Sequence, residues 1–245
     1  MNPSRSSHLC LSLASVAIAV ALAACGKSAS DAQGADADAA SASSQGADDS
    51  AVAAAAATPA FTAPTLADGP DVCFKAIAAH LGADAKVMEV TSFFSAGSEI
   101  NSSDREPKGQ LTGCSVDYQD PANPKKLVGT RLDLNTGKFS EPHPIELNVT
   151  GDAANFRLDD YLVALSQVDA AALAAQFEAL RPQLEGVYSS YAWTGVRLQP
   201  PGAFSNVPTL RLDLDGRLAA NDLKKGGYAS ISIDGKEVVR NNLLP

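Results

Sequence analysis

Residues 26–66, GKSASDAQGADADAASASSQGADDSAVAAAAATPAFTAPTL, are almost wholly Ala, Ser, Gly and Asp, and scarcely a large apolar side chain precedes Phe61. A stretch of this kind cannot bury enough surface to offset the entropy of ordering its backbone. It reads as a disordered tether, and it confines any folded core to residues 67–245. The alanine run at 53–57 has no partner face for a lasting helix. About 40 flexible residues reach roughly 35 Å by random-coil scaling, and their acidic charges stretch them further.

What precedes the tether has the layout of an export signal. MNPSRSSH carries one positive charge, and an apolar run over residues 9–23 follows it, shorter than the roughly 20 residues a membrane span requires. Leu22-Ala23-Ala24-Cys25 closes the run and resembles the lipobox of bacterial lipoproteins. That resemblance implies a signal peptide over 1–24 and a lipidated Cys25 at the head of a tether over 25–66. A cysteine suits the site because its thiolate is the nucleophile that takes the lipid. Two or three acyl chains, palmitate among them, anchor a protein where one does not. Gly26 and Lys27 follow Cys25. In Gram-negative lipoproteins an aspartate there favours the inner membrane, so the resemblance implies the periplasmic face of the outer membrane. An ordinary signal that happens to precede a cysteine is the alternative.

Beyond residue 67 the texture becomes globular. Asp71 caps an expected helix, DVCFKAIAAHLG, with Phe74, Ile77, Ala78 and Leu81 on one stripe and Gly82 ending it. KVMEVTSFF, QLTGCSVDY, KKLVGTRLDL and PIELNV read as strands. DDYLVALS reads as a short helix, and DAAALAAQFEALRP as a clearer one with Leu173, Phe177 and Leu180 on one face and Pro182 at its limit. EGVYSSYAWTGVRL, PTLRLDL, GYASISI and EVVR complete the strands. RLDLNTGKF (131–139) and RLDLDGRL (211–218) each place two leucines on one strand face, then Asn or Asp with Gly to turn the chain. The fold class is therefore α+β, short helices packed on antiparallel sheet. Element order recurs in modules 67–151 and 152–245, as tandem duplication would give; convergent hairpin chemistry is the other reading.

Of four cysteines, Cys10 leaves with the signal and Cys25 carries lipid, so Cys73 and Cys114 remain in the domain. In an oxidising periplasm they are expected to form a disulfide, two separate buried thiols being the alternative. No CxxC, HExxH, GxSxG, P-loop or GxGxxG is present. Asp213-Leu214-Asp215-Gly216 lacks the further ligands of a calcium loop and reads as a solvated turn. His80 falls in the last turn of a helix, where the dipole favours a cation. His143 lacks an identifiable partner for metal or acid-base work. No metal, cofactor or catalytic set is assigned.

The formal charge is −9: +1 over residues 1–25, −4 over 26–66 and −6 over 67–245. With no basic stripe interleaved with aromatics, nucleic-acid binding is not expected. The aromatic cluster Tyr188, Tyr191 and Trp193, with Phe204 in the loop QPPGAFSNVP, is the candidate contact surface. Period two puts Tyr191 and Trp193 on one face. An open face makes them, with Phe204, anchors for a partner; a covered face makes them core.

Helix followed by antiparallel strands, ending in GYASISIDGKEVVR with a turn at Asp234-Gly235, resembles PepSY-type modules and the tandem α/β units of β-lactamase-inhibitor-like proteins. In architecture it also resembles small lipoproteins of outer-membrane assembly. No functional residue carries over. The expectation is a non-enzymatic, lipid-anchored periplasmic module that binds or inhibits another envelope protein, of immunity or inhibitor type. Its partners are the membrane, through the lipid, and an unidentified envelope protein. An accessory lipoprotein for outer-membrane or cell-wall maintenance is the alternative, and an enzyme acting on wall or glycan is the third reading.

Overall fold

Alternation of large apolar side chains along nearly every strand puts the core on one face of a single antiparallel sheet. The computed structural model describes residues 61–149, 153–202 and 205–245. The signal 1–24, Cys25, the tether up to residue 60, and Phe204 lie outside the described residues. Among the described residues no helix is long and apolar enough to cross a membrane.

The main elements in chain order are α1 (Val72–Leu81), β1 (Lys86–Phe94), β2 (Leu111–Gln119), β3 (Leu127–Asp133), β4 (Lys138–Phe139), β5 (His143–Ile145), β6 (Val163–Ala164), α2 (Leu173–Leu184), β7 (Tyr188–Gln199), β8 (Thr209–Leu218), β9 (Lys224–Ser232) and β10 (Val238–Asn242). The sheet order is β10-β9-β8-β7-β1-β2-β3-β4, with β5 beside β3 and β6 beside β1. Strands from the first and second halves meet where Val90–Phe93 of β1 pair with Gly195–Leu198 of β7. Across that seam the buried Ser92 hydroxyl donates to the Val196 carbonyl at 2.6 Å. The result is one continuous, sheet-dominated α+β fold.

One sheet face carries Val90, Phe94, Cys114, Val116, Val196, Leu198, Leu210, Leu212, Leu214 and Ile231, all buried together with Phe74 and Ile77 of α1 and Leu173, Leu180 and Leu184 of α2. A disulfide joins Cys73 of α1 to Cys114 of β2, with Cα atoms 5.5 Å apart. Gly227 lets the C-terminal tail cross close by: a Cβ there would lie 2.7 Å from the Leu243 carbonyl oxygen. The Leu243 side chain is fully buried.

Several expectations need correction. Folded contacts begin before residue 67, because Leu111 N–H donates to Pro64 O and Leu66 N–H to Gly109 O. Asp71 makes no side-chain cap; its carboxylate pairs instead with Lys75 one turn on, at 3.1 Å. DDYLVALS is not a helix but short 3-10 turns around β6, which pairs with Lys86 and Val87. Val163 and Leu165 are buried two apart, a strand period in a run too short to nucleate a helix. α2 passes Pro182 to Leu184, whose side chain is fully buried, so packing holds a last turn that proline weakens.

The two look-alike segments also differ. Asn135-Thr136-Gly137 turns the chain between β3 and β4, with Gly137 at φ 69°. Asp215 and Gly216 lie inside β8, paired with β7 and β9, and the chain turns beyond Leu218. Gly216 serves close packing there: a Cβ would lie 2.5 Å from Tyr188 Cδ1 and 2.9 Å from the Ser190 carbonyl oxygen. The carboxylates beside it are held as ion pairs: Asp213 by Arg197 and Arg211, Asp215 by Lys224.

Candidate functional site

β7 is longer than the neighbour on its β1 side. Along the other side it pairs with β8 from Tyr188 to Gln199, but β1 reaches only Gly195–Leu198. Among the described residues Tyr188–Trp193 therefore pairs with a strand on one side alone, apart from an isolated bridge between Tyr188 and Glu185. Beside that edge is a groove of about 740 Å³, bounded by Phe177 and Arg181 of α2, by Tyr191 and Trp193 of β7, and by Leu66 and Lys108.

An aromatic chain forms its wall. Phe177 stacks on Trp193 at 5.1 Å between centroids, Tyr191 meets Trp193 edge-on at 6.4 Å, and Tyr188 lies 6.5 Å from Tyr191. Tyr191 and Trp193 thus share a face, as period two requires. Trp193 is 8% exposed. It belongs to the core, with Phe177 over it, while Tyr191 is half-buried and faces the groove. Tyr188 is buried, and its hydroxyl donates to Leu243 O at 2.7 Å. Burial, then the charge of Asp215, pushes the pKa of that phenol above its ordinary value.

The edge is guarded. Lys108 Nζ donates to the Tyr191 carbonyl at 2.7 Å, supplying the donor that the N–H of an adjacent strand would supply. Lys108 and Arg181 face Glu178 and Glu185 around the rim, so the groove carries no net charge. Arg181 is paired to Glu178 at 2.6 Å. Sequence reasoning found the aromatic residues through their spacing. It missed Lys108 and Phe177 as site residues, because the loop and helix that deliver them are distant in the chain.

The opposite sheet face is polar. A cross-strand row there sets Glu89 beside Asp117, Asp117 beside Gly129 and Gly129 beside His143. A Cβ on Gly129 would stand 2.9 Å from Asp117 Oδ1 and 3.1 Å from His143 Cε1, so the glycine makes room for both side chains. Partial burial and then the charge of Glu89 push the Asp117 carboxyl above its ordinary range, with His143 pulling it back. Among the described residues no group of three or more His, Cys, Asp and Glu side chains is placed to hold a metal. His80 stacks on Phe139 at 4.4 Å, a packing role.

No protein-family model, no curated protein and no solved structure matches this chain.

Proposed function

We propose that this chain is a lipid-anchored, non-enzymatic binding module of the bacterial envelope, anchored at Cys25, which captures an extended segment of another envelope protein by strand addition along Tyr188–Trp193. The observation that carries this reading is the one-sided pairing of β7 beside an aromatic-walled groove. In strand addition, main-chain hydrogen bonds supply affinity and pockets for alternate side chains supply specificity. The groove offers both elements: a strand edge, where an incoming main-chain N–H exchanges with Lys108 at the Tyr191 carbonyl, and Tyr191 with the edge of Trp193 for an apolar side chain. Leu22-Ala23-Ala24-Cys25 supports the anchor, and the Ala/Ser/Asp-rich tether gives the module reach. Helix-then-strands order in both halves supports a doubled module, and the unlike hairpins after RLDL weigh against it.

The test is to select peptides that bind the full chain and then N-methylate alternate residues of a binder. Micromolar affinity is expected. Methylation in one register should weaken it at least about tenfold, and Tyr191→Ala should do the same. Binding indifferent to N-methylation in both registers, or no selectable peptide at all, rules strand addition out.

A further inference from the structure

Two β-bulges fall at the same level of the sheet, on the strands that flank Phe93 of β1. β2 inserts Thr112 between Leu111, which pairs with Phe94, and Gly113, which pairs with Phe93. β7 inserts Thr194 between Trp193, which pairs with Leu214, and Gly195, which pairs with Asp213 on one side and Phe93 on the other. A bulge gives up ladder pairing and re-aims the side chain of the extra residue, and bulges concentrate beside binding and active sites. Thr112, Thr194 and Phe93 all border one pocket of about 430 Å³. Phe93 is 44% exposed, and because both its cross-strand neighbours are glycines, no side chain stands beside the ring in its own row.

The loop that follows β1 forms the facing wall, and its shape is set without a ligand. Asp104 accepts from the Ser95 hydroxyl at 3.1 Å, from the Ala96 N–H at 2.8 Å and from the Asn101 side-chain amide. Ala96 and Ile100 are buried against Ala192 of β7, which pins the loop to the sheet. The pocket is therefore preformed, and its volume lies in the range of small-ligand sites. Its lining is mixed. Phe93 supplies apolar surface, and the Thr112 and Thr194 hydroxyls, which make no hydrogen bond to a described residue, can each donate and accept. The Arg105 guanidinium, likewise unengaged among the described residues, adds donors. Asp104 is satisfied by its three donors and Asp215 is paired with Lys224 at 3.1 Å, so neither calls for a cation. Together with Glu106 they outnumber Arg105 in the lining and oppose an anion.

We propose that this pocket binds a neutral sugar, its C–H face against Phe93 and its hydroxyls on Thr112, Thr194 and Arg105. A sugar ring has the properties this lining selects: no net charge, an apolar face whose C–H groups suit the negative face of an aromatic ring, and hydroxyls that both donate and accept. The pocket shares no lining residue with the groove at Tyr191, so the proposal stands or falls independently of strand addition.

Titration of the full chain with glucose, galactose and N-acetylglucosamine, and with maltose, lactose and chitobiose, followed by ligand-observed NMR, tests it. The monosaccharide and disaccharide arms separate a free sugar from a unit of a glycan chain. Saturable binding of at least one of the six is expected, in the millimolar range or tighter and indifferent to salt, since the ligand is uncharged. Phe93→Ala, at an exposed position, should weaken it at least about tenfold, and Thr112→Val and Thr194→Val roughly fivefold each through loss of one hydrogen bond. Tyr191→Ala, in the groove, should leave it unchanged. Absence of saturable binding to all six sugars overturns the proposal. So does binding that Phe93→Ala, with the fold intact by circular dichroism, and both threonine variants leave unchanged.

Discussion

Phe177 of α2 lies over Trp193 of β7 with centroids 5.1 Å apart and planes 20° from parallel. Trp193 is the only tryptophan in the chain, so tryptophan emission reports on the surroundings of that one side chain. Phe177→Ala should shift the emission to the red as water reaches the indole. It should also cost about 1–3 kcal/mol of stability, less than a fully buried Phe because Phe177 is half-buried. Tyr191→Ala should cost less than about 1 kcal/mol. Fluorescence with denaturant melts reads both, and an unshifted spectrum in Phe177→Ala contradicts the stacked arrangement as the source of Trp193 burial.

The disulfide between Cys73 and Cys114 closes a loop with a sequence separation of 41. Loop-closure entropy assigns such a bridge about 4 kcal/mol. The double variant Cys73→Ser, Cys114→Ser should lower stability by roughly 2–5 kcal/mol, read from urea midpoints, and native alkylation of the parent should label neither cysteine. Labelling of either thiol in oxidised protein contradicts the bridge.

Gly216 faces Tyr188 so closely that a Cβ would meet the ring at 2.5 Å and the Ser190 backbone at 2.9 Å. Gly216→Ala is expected to destabilise by about 1–3 kcal/mol through overpacking. Gly202 has no described atom within 4 Å of its Cβ position, and Gly202→Ala should be nearly neutral, thermal melts of the two variants giving the comparison. Equal effects of the two substitutions would argue against close packing as the reason for glycine in β8.

Gly216 also shows where sequence stops speaking. Strands announce themselves locally: KVMEVTSFF alternates large apolar side chains and coincides with β1, and Cys73 and Cys114 name each other once other cysteines are set aside. A glycine after aspartate fits a turn or a close ring approach equally well, and the difference lies in Tyr188, 28 residues earlier in the chain. The groove was half legible for the same reason. Tyr191 and Trp193 are adjacent by period, but Phe177 and Lys108 arrive through tertiary packing. That Arg197 stands beside Arg211 was illegible, since only the register of β7 on β8 decides it.

Asp117 gives a pH dependence of definite sign. Its folded-state pKa is raised, by partial burial first and by Glu89 second, above an unfolded value of about 3.9. Between those two values the folded chain holds more protons than the unfolded one. This group's contribution to stability is therefore present at low pH and lost as pH rises through the folded value. Asp117→Asn should be more stable than the parent at neutral pH, with the difference vanishing toward pH of about 4. Asp68, Asp133, Asp159 and Asp234, whose pKa values are lowered by hydrogen bonds, act in the opposite direction but cancel in the comparison. Urea melts of both proteins across the acid range decide it, a constant or reversed difference contradicting the assignment.

Lys108 occupies the position that a captured strand needs. Its ammonium sits 2.7 Å from the Tyr191 carbonyl, an acceptor that an incoming main-chain N–H must claim. Binding by strand addition thus exchanges one hydrogen bond for another at that point, and the exchange costs affinity. A net protein hydrogen bond is worth about 1 kcal/mol, which corresponds to roughly a fivefold change in affinity. Lys108→Ala should tighten binding of a selected peptide by about that factor, chiefly through slower dissociation. Lys108→Met keeps most of the aliphatic stem without the donor and should do the same, which separates loss of the hydrogen bond from loss of packing. A peptide bound more weakly by both variants would place the lysine among the contacts rather than in their way, and strand addition at Tyr191 would lose its geometry.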